Sequence, residues 1–183
     1  MHYFSGFCFR GEKWLFDWIL KPYGLYNIAG FSYGAINALE FAYKQVKQGL
    51  RVQKLFLISP CMLAFKPKAF KRLQILSYQK DPALYVRSFL QNIGWNSLLD
   101  LNPNLARFTH LGSLEDLKIL LEYTYSAEKL AFLYDEGVSI SVFLGLEDNL
   151  LDIKEALHCF KPYASVWQLK GANHLLQKPL IVY

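Results

Sequence analysis

A chain of 183 residues, 53% hydrophobic and 19% charged, is long enough to bury one sizeable core. This composition excludes a disordered or low-complexity protein, and no apolar run is long enough to cross a membrane. The three cysteines are widely separated and lack metal-type spacing, which argues against a disulfide framework or a zinc site. We therefore expect a single cytoplasmic domain over residues 1–183, with no cofactor, no metal and no membrane contact.

The first third of the chain alternates between strand and helix patterns. Short apolar runs predict strands over residues 2–5, 25–29 and 54–59. Between them, apolar residues at helical spacing predict helices over residues 12–20 and 32–48, the first stopped by Lys-Pro and the second by a glycine. Strands that alternate with helices predict a parallel sheet in an α/β fold.

The alternation is interrupted in the middle of the chain, because residues 63–133 contain helical patterns but no convincing strand. The later predicted elements are helices over 69–77, 82–93, 114–134 and 153–160, and strands over 138–144 and 165–169. A helical insertion between two strands of a parallel sheet is the usual layout of a lid. The sequence thus predicts about five mostly parallel strands with a helical lid over about 63–133.

The net charge of +5 is concentrated in the predicted lid. Residues 62–97 carry one acid, Asp81, and the following six basic residues: Lys66, Lys68, Lys71, Arg72, Lys80 and Arg87. The remainder of the chain is neutral. This segment could contact an acidic partner, or it could be an ordinary solvated helix face. It is too short, and too poor in recognisable motifs, to indicate nucleic acid binding.

The pentapeptide GFSYG at residues 30–34 lies where a predicted strand passes into a predicted helix. A serine in such a sharp turn is exposed above the sheet, beside the first N–H groups of the helix. The two glycines leave room where side chains would clash. About 0.04 G-x-S-x-G matches are expected by chance in this composition, so the motif and its position together predict that Ser32 is a nucleophile.

A serine hydroxyl needs a base, and the base needs an acid that orients it. His174 is the one histidine of four that falls in a loop just past a predicted strand. The loop after the preceding strand contains Glu147, Asp148 and Asp152, all near the same strand end. We favour Asp148 as the acid, because Asp152 is better suited to cap the following helix. The order serine, acid, histidine predicts a catalytic triad of Ser32, Asp148 and His174.

An oxyanion intermediate also needs preorganised N–H donors. The residue after the nucleophile, Tyr33, supplies one candidate. The second should come from the loop after the first strand, where Gly6 allows a close backbone approach and the N–H of Phe7 is the candidate. A simple strand-ending turn is the alternative interpretation of Gly6.

The three segments GFSYG, GLED at residues 145–148 and GANH at residues 171–174 together resemble the α/β-hydrolase superfamily. The size, the short N-terminus and the basic lid resemble the pimeloyl-acyl-carrier-protein methyl ester esterases of biotin synthesis, especially their compact BioV type. The resemblance implies that Ser32 attacks the methyl ester of a pimeloyl chain and that His174 acts as base and then as acid. A water would release the free carboxylate from the acyl-enzyme.

The resemblance also implies an acidic partner, the acyl carrier protein, and gives the basic lid a role. The candidate docking residues are Lys66, Lys68, Lys71, Arg72 and Arg87. Exposed ion pairs each contribute little, so the effect should be additive and sensitive to salt. Two alternatives are open: a general short-chain carboxylesterase or thioesterase, and an inactive hydrolase fold that binds an acidic partner.

The chain is short for this superfamily, because only one helix separates Gly6 from Tyr26. Right-handed crossovers between neighbouring strands would place successive helices on one face of the sheet. The other face would then need a separate cover. A dimer contact or an unusual path for residues 12–20 could provide it, and the sequence leaves both this choice and the oligomeric state open.

Overall fold

The computed structural model describes residues 1–178 of the chain. Its strands are β1 (His2–Phe4), β2 (Asn27–Phe31), β3 (Lys54–Ile58), β4 (Ser139–Gly145) and β5 (Ser165–Leu169). Its α-helices are α1 (Asp17–Leu20), α2 (Tyr33–Lys47), α3 (Lys68–Lys80), α4 (Pro82–Asn92), α5 (Trp95–Leu101), α6 (Leu114–Glu122), α7 (Ala127–Asp135) and α8 (Ile153–Phe160). Short 3₁₀ helices cover Glu12–Phe16, Leu63–Phe65 and Pro103–Phe108.

The five strands form one all-parallel sheet in the order β1-β2-β3-β4-β5, which confirms the predicted α/β architecture. The central strands are apolar and almost wholly buried, as expected for a parallel sheet covered on both sides. Parallel strands place their carboxyl ends at one edge, so the loops after β1 to β5 meet there. Within residues 1–178, no helix is both long and apolar enough to span a membrane.

The region between β3 and β4 consists of helices joined by loops and contains no strand, as the sequence predicts, and we keep the name lid for residues 63–133. One prediction there is wrong: the continuous helix over 114–134 is two helices, α6 and α7. The helix ends at Glu122 because Tyr123 adopts an extended conformation. A new helix, α7, starts where the hydroxyl of Ser126 accepts the N–H of Lys129. The sequence also missed α5, which begins after Gly94 in a left-handed conformation (φ 88°).

The two faces of the sheet are covered by different parts of the chain. On one face, Phe41 of α2 packs against the rings of His2 and Phe4. In the sheet, Gly30 of β2 is the partner of Phe4. Because side chains alternate along a strand, Phe31, the residue after Gly30, points to the other face. There its ring contacts Phe16, with ring centroids 4.9 Å apart. The Glu12–Leu20 segment thus covers part of the second face, one of the two solutions that the sequence left open.

Candidate active site

Ser32 lies between β2 and α2 with a backbone conformation that side-chain-bearing residues rarely adopt (φ 55°, ψ −115°). The two glycines that flank it are required by sterics. A Cβ on Gly30 would lie 2.0 Å from the carbonyl oxygen of Gly34, and a Cβ on Gly34 would lie 2.0 Å from that of Phe4. The Ser32 N–H donates to the carbonyl of Ile58 (2.8 Å), which ties the turn to the end of β3.

The three residues of the predicted triad are adjacent in the structure. Ser32 Oγ lies 2.9 Å from His174 Nε2, and His174 Nδ1 lies 2.6 Å from Asp148 Oδ2. All three are buried, with His174 1% exposed. The other Asp148 oxygen, Oδ1, accepts the N–H of Leu150 (2.8 Å), so both carboxylate oxygens have partners.

The alternative acids do not reach His174. Glu147 is exposed, and Asp152 caps α8 by accepting the N–H groups of Lys154 and Glu155. The sequence analysis preferred Asp148 because Asp152 suited a helix cap, and these positions are consistent with that preference. Asp148 is the carboxylate that lies in hydrogen-bonding contact with His174 Nδ1.

The charge of Asp148 sets the electrostatics of the site. Burial alone lowers the pKa of His174, because an apolar environment disfavours the imidazolium. The negative charge of Asp148 and its hydrogen bond, together with a contribution from Cys61, outweigh burial and raise the pKa of His174 above its ordinary value. The pair therefore stabilises an imidazolium that forms when His174 accepts a proton.

The loop that carries His174 is held by close backbone packing. A Cβ on Gly145 would lie 2.3 Å from the carbonyl oxygen of Asn173 and 2.5 Å from that of Ala172. In addition, the Ser59 hydroxyl donates to the carbonyl of His174 (2.7 Å). Ser59 is fully buried, with a positive φ of 44°. The end of β3 thus fixes the backbone of both Ser32 and His174.

The sequence did not identify one side chain that contacts both Ser32 and His174. Cys61, fully buried, places its Sγ 3.3 Å from Ser32 Oγ and 3.9 Å from His174 Nε2. The available signal was its position just past the end of β3, the strand beside β2, which leads into Ser32. Among the described residues no group of three His, Cys, Asp or Glu side chains could hold a metal ion.

The two predicted oxyanion residues both contact the lid. The Phe7 ring packs edge-on against Phe89 and Tyr85 of α4, with centroids 5.5 and 6.5 Å away. The Tyr33 hydroxyl donates to Asp116 of α6 (2.7 Å), and burial followed by this hydrogen bond raises the pKa of Tyr33 to about 12. The assignment of their backbone N–H groups as oxyanion donors stays a prediction.

A groove of about 880 Å³ lies between α3 and α4 and extends to the residues that follow Asp148. Its apolar lining includes Leu63, Phe70, Leu84, Phe89 and Leu150, and Lys66 and Lys80 also line it. The groove borders the Phe7 ring through Tyr85 and Phe89. It is large enough for a ligand of drug-like size.

Of the five predicted docking residues, Lys71 does not fit that role. It is 8% exposed, and its Nζ lies 2.8 Å from Glu122 Oε2, so its charge is already paired within the lid. A buried ammonium at this position is satisfied by an ion pair rather than by solvent. Lys68, Arg72 and Arg87 are exposed and Lys66 is half-buried. For these four residues, docking stays a prediction.

No protein-family model matches the chain, and no curated protein sequence matches it. Solved structures do. An esterase from Exiguobacterium antarcticum has a TM-score of 0.60 at 16% identity, over 80% of this chain and 58% of that one. An α/β-hydrolase enzyme from a Medee basin deep-sea metagenome library has a TM-score of 0.56 at 18% identity, over 87% of this chain and 62% of that one.

A thioesterase of the prodiginine pathway of Streptomyces coelicolor has a TM-score of 0.52 at 19% identity, over 84% of this chain and 55% of that one. The chain thus spans about 60% of the length of the structures it matches. At these identities the likeness establishes the fold, which is that of the α/β hydrolases.

Proposed function

We propose that the chain is a serine hydrolase of carboxylic esters. The observation that supports this most strongly is the continuous hydrogen-bonded path from Ser32 Oγ through both nitrogens of His174 to Asp148. His174 would take the Ser32 proton as the oxygen attacks the ester carbonyl, and would then protonate the leaving alcohol. A water activated by His174 would hydrolyse the acyl-enzyme. The complete path argues against an inactive binding protein.

We further propose that the substrate is the methyl ester of a pimeloyl chain carried on acyl carrier protein. The groove between α3 and α4 has apolar walls that suit a methylene chain, and lysines line it as well. The exposed residues Lys68, Arg72 and Arg87 give the lid a positive surface that would complement an acidic carrier protein. A location in the cytoplasm, where such carriers would be met, is part of this proposal.

A general short-chain carboxylesterase or thioesterase is the second candidate function. The matched structures include an esterase and a thioesterase, which supports acyl transfer without selecting the substrate. In this alternative the lid charges have no role in catalysis. The two candidates differ in one measurable respect, the dependence of turnover on the carrier protein.

The test compares hydrolysis of methyl pimeloyl carrier protein with hydrolysis of p-nitrophenyl butyrate. The triple variant K68E/R72E/R87E should raise KM for the carrier-bound ester at least tenfold, more at low salt, and leave the small ester unaffected. A matched control, K44E/K47E/R51E, makes the same charge change at exposed positions at or beyond the far end of α2. Equal losses with both triple variants, or on both substrates, would refute carrier docking on the lid.

The hydrolytic activity itself is tested separately. Ser32→Ala should abolish turnover of both substrates while the circular dichroism spectrum stays that of the wild type. Substantial turnover by this variant would refute Ser32 as nucleophile. Efficient hydrolysis of p-nitrophenyl butyrate without hydrolysis of the carrier-bound ester would instead favour the second candidate.

A further inference from the structure

Glu12 is a fully buried carboxylate that the proposed triad chemistry does not use. Its exposed fraction is 0%, although carboxylates are almost never fully buried without a partner charge. Of the other buried ionisable side chains among the described residues, Lys71 is paired with Glu122, and Asp148 and His174 contact each other. Within residues 1–178, Glu12 forms no salt bridge. Burial of a carboxyl group is unfavourable unless its hydrogen bonds compensate, so the contacts of Glu12 must explain why it is buried.

The contacts of Glu12 are concentrated on one oxygen. Oε1 accepts the hydroxyl of Tyr3 and the backbone N–H of Gly6, both at 3.0 Å. Oε2 is buried and has no hydrogen-bond partner among the described residues. Glu12 therefore joins the end of β1 to the loop over residues 5–11, which carries the predicted oxyanion donor Phe7.

Fixing Gly6 also fixes the direction of the Phe7 N–H. The carbonyl of Gly6 and the N–H of Phe7 belong to one planar peptide group. The Gly6 carbonyl accepts the N–H of Phe9 (3.0 Å), and the N–H of Gly6 itself donates to Glu12. The peptide groups on both sides of the Gly6 Cα are therefore held. Glycine has more backbone freedom than any other residue, so both anchors are needed to hold φ and ψ of Gly6.

Replacing Gly6 by a residue with a side chain, which would itself restrict φ and ψ, is excluded by sterics. A Cβ on Gly6 would lie 2.7 Å from the ring of Phe31, which itself packs against His174 with centroids 5.2 Å apart. The loop thus needs glycine to pass the Phe31 ring. It then needs an external hydrogen-bond acceptor to restrict that glycine.

We infer that Glu12 is a positioning residue, whose carboxylate holds Gly6 so that the N–H of Phe7 is preorganised to donate to the oxyanion. This inference rests on the proposed esterase function. Glu12 does not touch the nucleophile or the base, and it acts through the Gly6 peptide. Because the interaction matters most when negative charge develops on the ester oxygen, its loss should affect kcat more than KM.

The test uses Glu12→Ala and Glu12→Gln. The alanine variant removes the acceptor and should lower kcat for p-nitrophenyl butyrate about 10- to 100-fold, with KM changed less than about threefold. It should weaken inhibition by phenylboronic acid, whose tetrahedral adduct on Ser32 requires the oxyanion donors, by a similar factor. Glutamine keeps an acceptor oxygen at the same reach, so this variant should stay within about threefold of wild type.

Tyr3→Phe is the matched control, because it removes the other donor to the same oxygen and leaves Gly6 bonded. It should keep wild-type kcat and boronate affinity even where the melting temperature falls. The acid limb of the pH–rate profile should be unchanged in Glu12→Ala, since the contacts of His174 are intact. If Glu12→Ala does not fold, Glu12→Asp replaces it, because the shorter side chain withdraws the acceptor from Gly6.

Two results would overturn the inference: wild-type kcat and boronate affinity in Glu12→Ala, or an equal kcat loss in Tyr3→Phe. Either would assign Glu12 to stability alone. Failure of the proposed esterase function gives a different result, because Ser32→Ala would then be as active as the wild type. In that case the inference about Glu12 would fail together with the proposed function.

Discussion

Replacing Asp148 by asparagine tests the electrostatics of the site with the smallest steric change. Asp148 Oδ1 already accepts the N–H of Leu150, so an amide at this position must keep its oxygen there. Its NH₂ group then faces His174 Nδ1. Because Nδ1 would have to accept this hydrogen bond, the proton of the neutral imidazole would move to Nε2, the nitrogen that faces Ser32.

An imidazole protonated on Nε2 cannot accept the Ser32 proton, and the imidazolium loses its counter-charge. We expect kcat to fall about 10⁴-fold, which corresponds to about 5 kcal/mol of transition-state stabilisation. The fold should survive, since the Leu150 hydrogen bond is retained. The measurement is turnover of p-nitrophenyl butyrate, with circular dichroism to confirm folding.

The pH dependence of the residual activity provides a second readout. In the wild type, Asp148 raises the pKa of His174 above its ordinary value of 6.5, so kcat/KM should rise with pH through an inflection above 6.5. In Asp148→Asn, the charge of Asp148 and its hydrogen bond no longer oppose burial, so the pKa of His174 falls below its wild-type value. The acid limb should therefore move to lower pH while the plateau falls.

Two neighbouring carboxylates serve as controls. Glu147→Gln and Asp152→Asn should each retain activity within about twofold, although the second should lose about 1 kcal/mol of stability with its helix cap. An Asp148→Asn variant within tenfold of wild type, or an acid limb that does not move, would refute the assigned role of Asp148. A larger loss in either control would transfer that role to it.

Three further substitutions test the framework around the triad. Gly145→Ala forces a Cβ into the backbone of the loop that carries His174 and should lower kcat at least tenfold. Gly137→Ala is its control, because a Cβ there has no atom within 4 Å. This control should lose only about 1–2 kcal/mol of stability in thermal melting, from backbone strain at a positive φ. Ser59→Ala removes the donor to the His174 carbonyl. It should lower the free energy of unfolding in urea by about 1–3 kcal/mol, and it should also slow ester turnover. An unchanged stability together with an unchanged turnover would contradict the contact. Cys61→Ala, read by the same ester assay, should change kcat less than about tenfold, and complete loss would show that the thiol is part of the chemistry.

The positions of the triad could be predicted because they follow from chain order and strand direction. Parallel strands bring their carboxyl ends to one edge, so residues just past β2, β4 and β5 lie along the same edge, within reach of the connecting loops. The sequence also predicted most elements closely; for example, the strand over 165–169 and the helix over 153–160 have the predicted bounds. What made this edge predictable was topology, which needs no knowledge of side-chain packing.

The residues that the sequence missed depend on packing instead. Glu12 has the pattern of a solvent-facing charge on an amphipathic helix, yet the segment folds partly as a 3₁₀ helix and buries it. Lys71 belongs to a basic run, and its burial depends on the approach of Glu122 from α6. Cys61 resembles an ordinary buried thiol until Ser32 and His174 are placed beside it. Each of these roles requires contacts between residues 6 or more positions apart.

The connection between β1 and β2 contributes both to the candidate site and to the cover of the sheet. The same segment supplies the loop of Phe7, the buried Glu12 and the ring of Phe16 on the second face of the sheet. Phe16 contacts Phe31, and Phe31 contacts His174 with centroids 5.2 Å apart. The cover of the second face and the wall of the candidate site are thus one packed stack.

This stack predicts a coupling between the second face of the sheet and the candidate site. Phe16→Ala should remove a fully buried ring, cost about 3–5 kcal/mol of stability and loosen Phe31 beneath the histidine. Trp18→Ala is the matched change in the same segment, because Trp18 is 58% exposed and its ring faces Phe143, with centroids 6.5 Å apart. If the stack positions His174, Phe16→Ala should lose kcat at a temperature where it is still folded, and Trp18→Ala should not. Equal kcat values in the two variants would show that the second face supports the sheet without shaping the site.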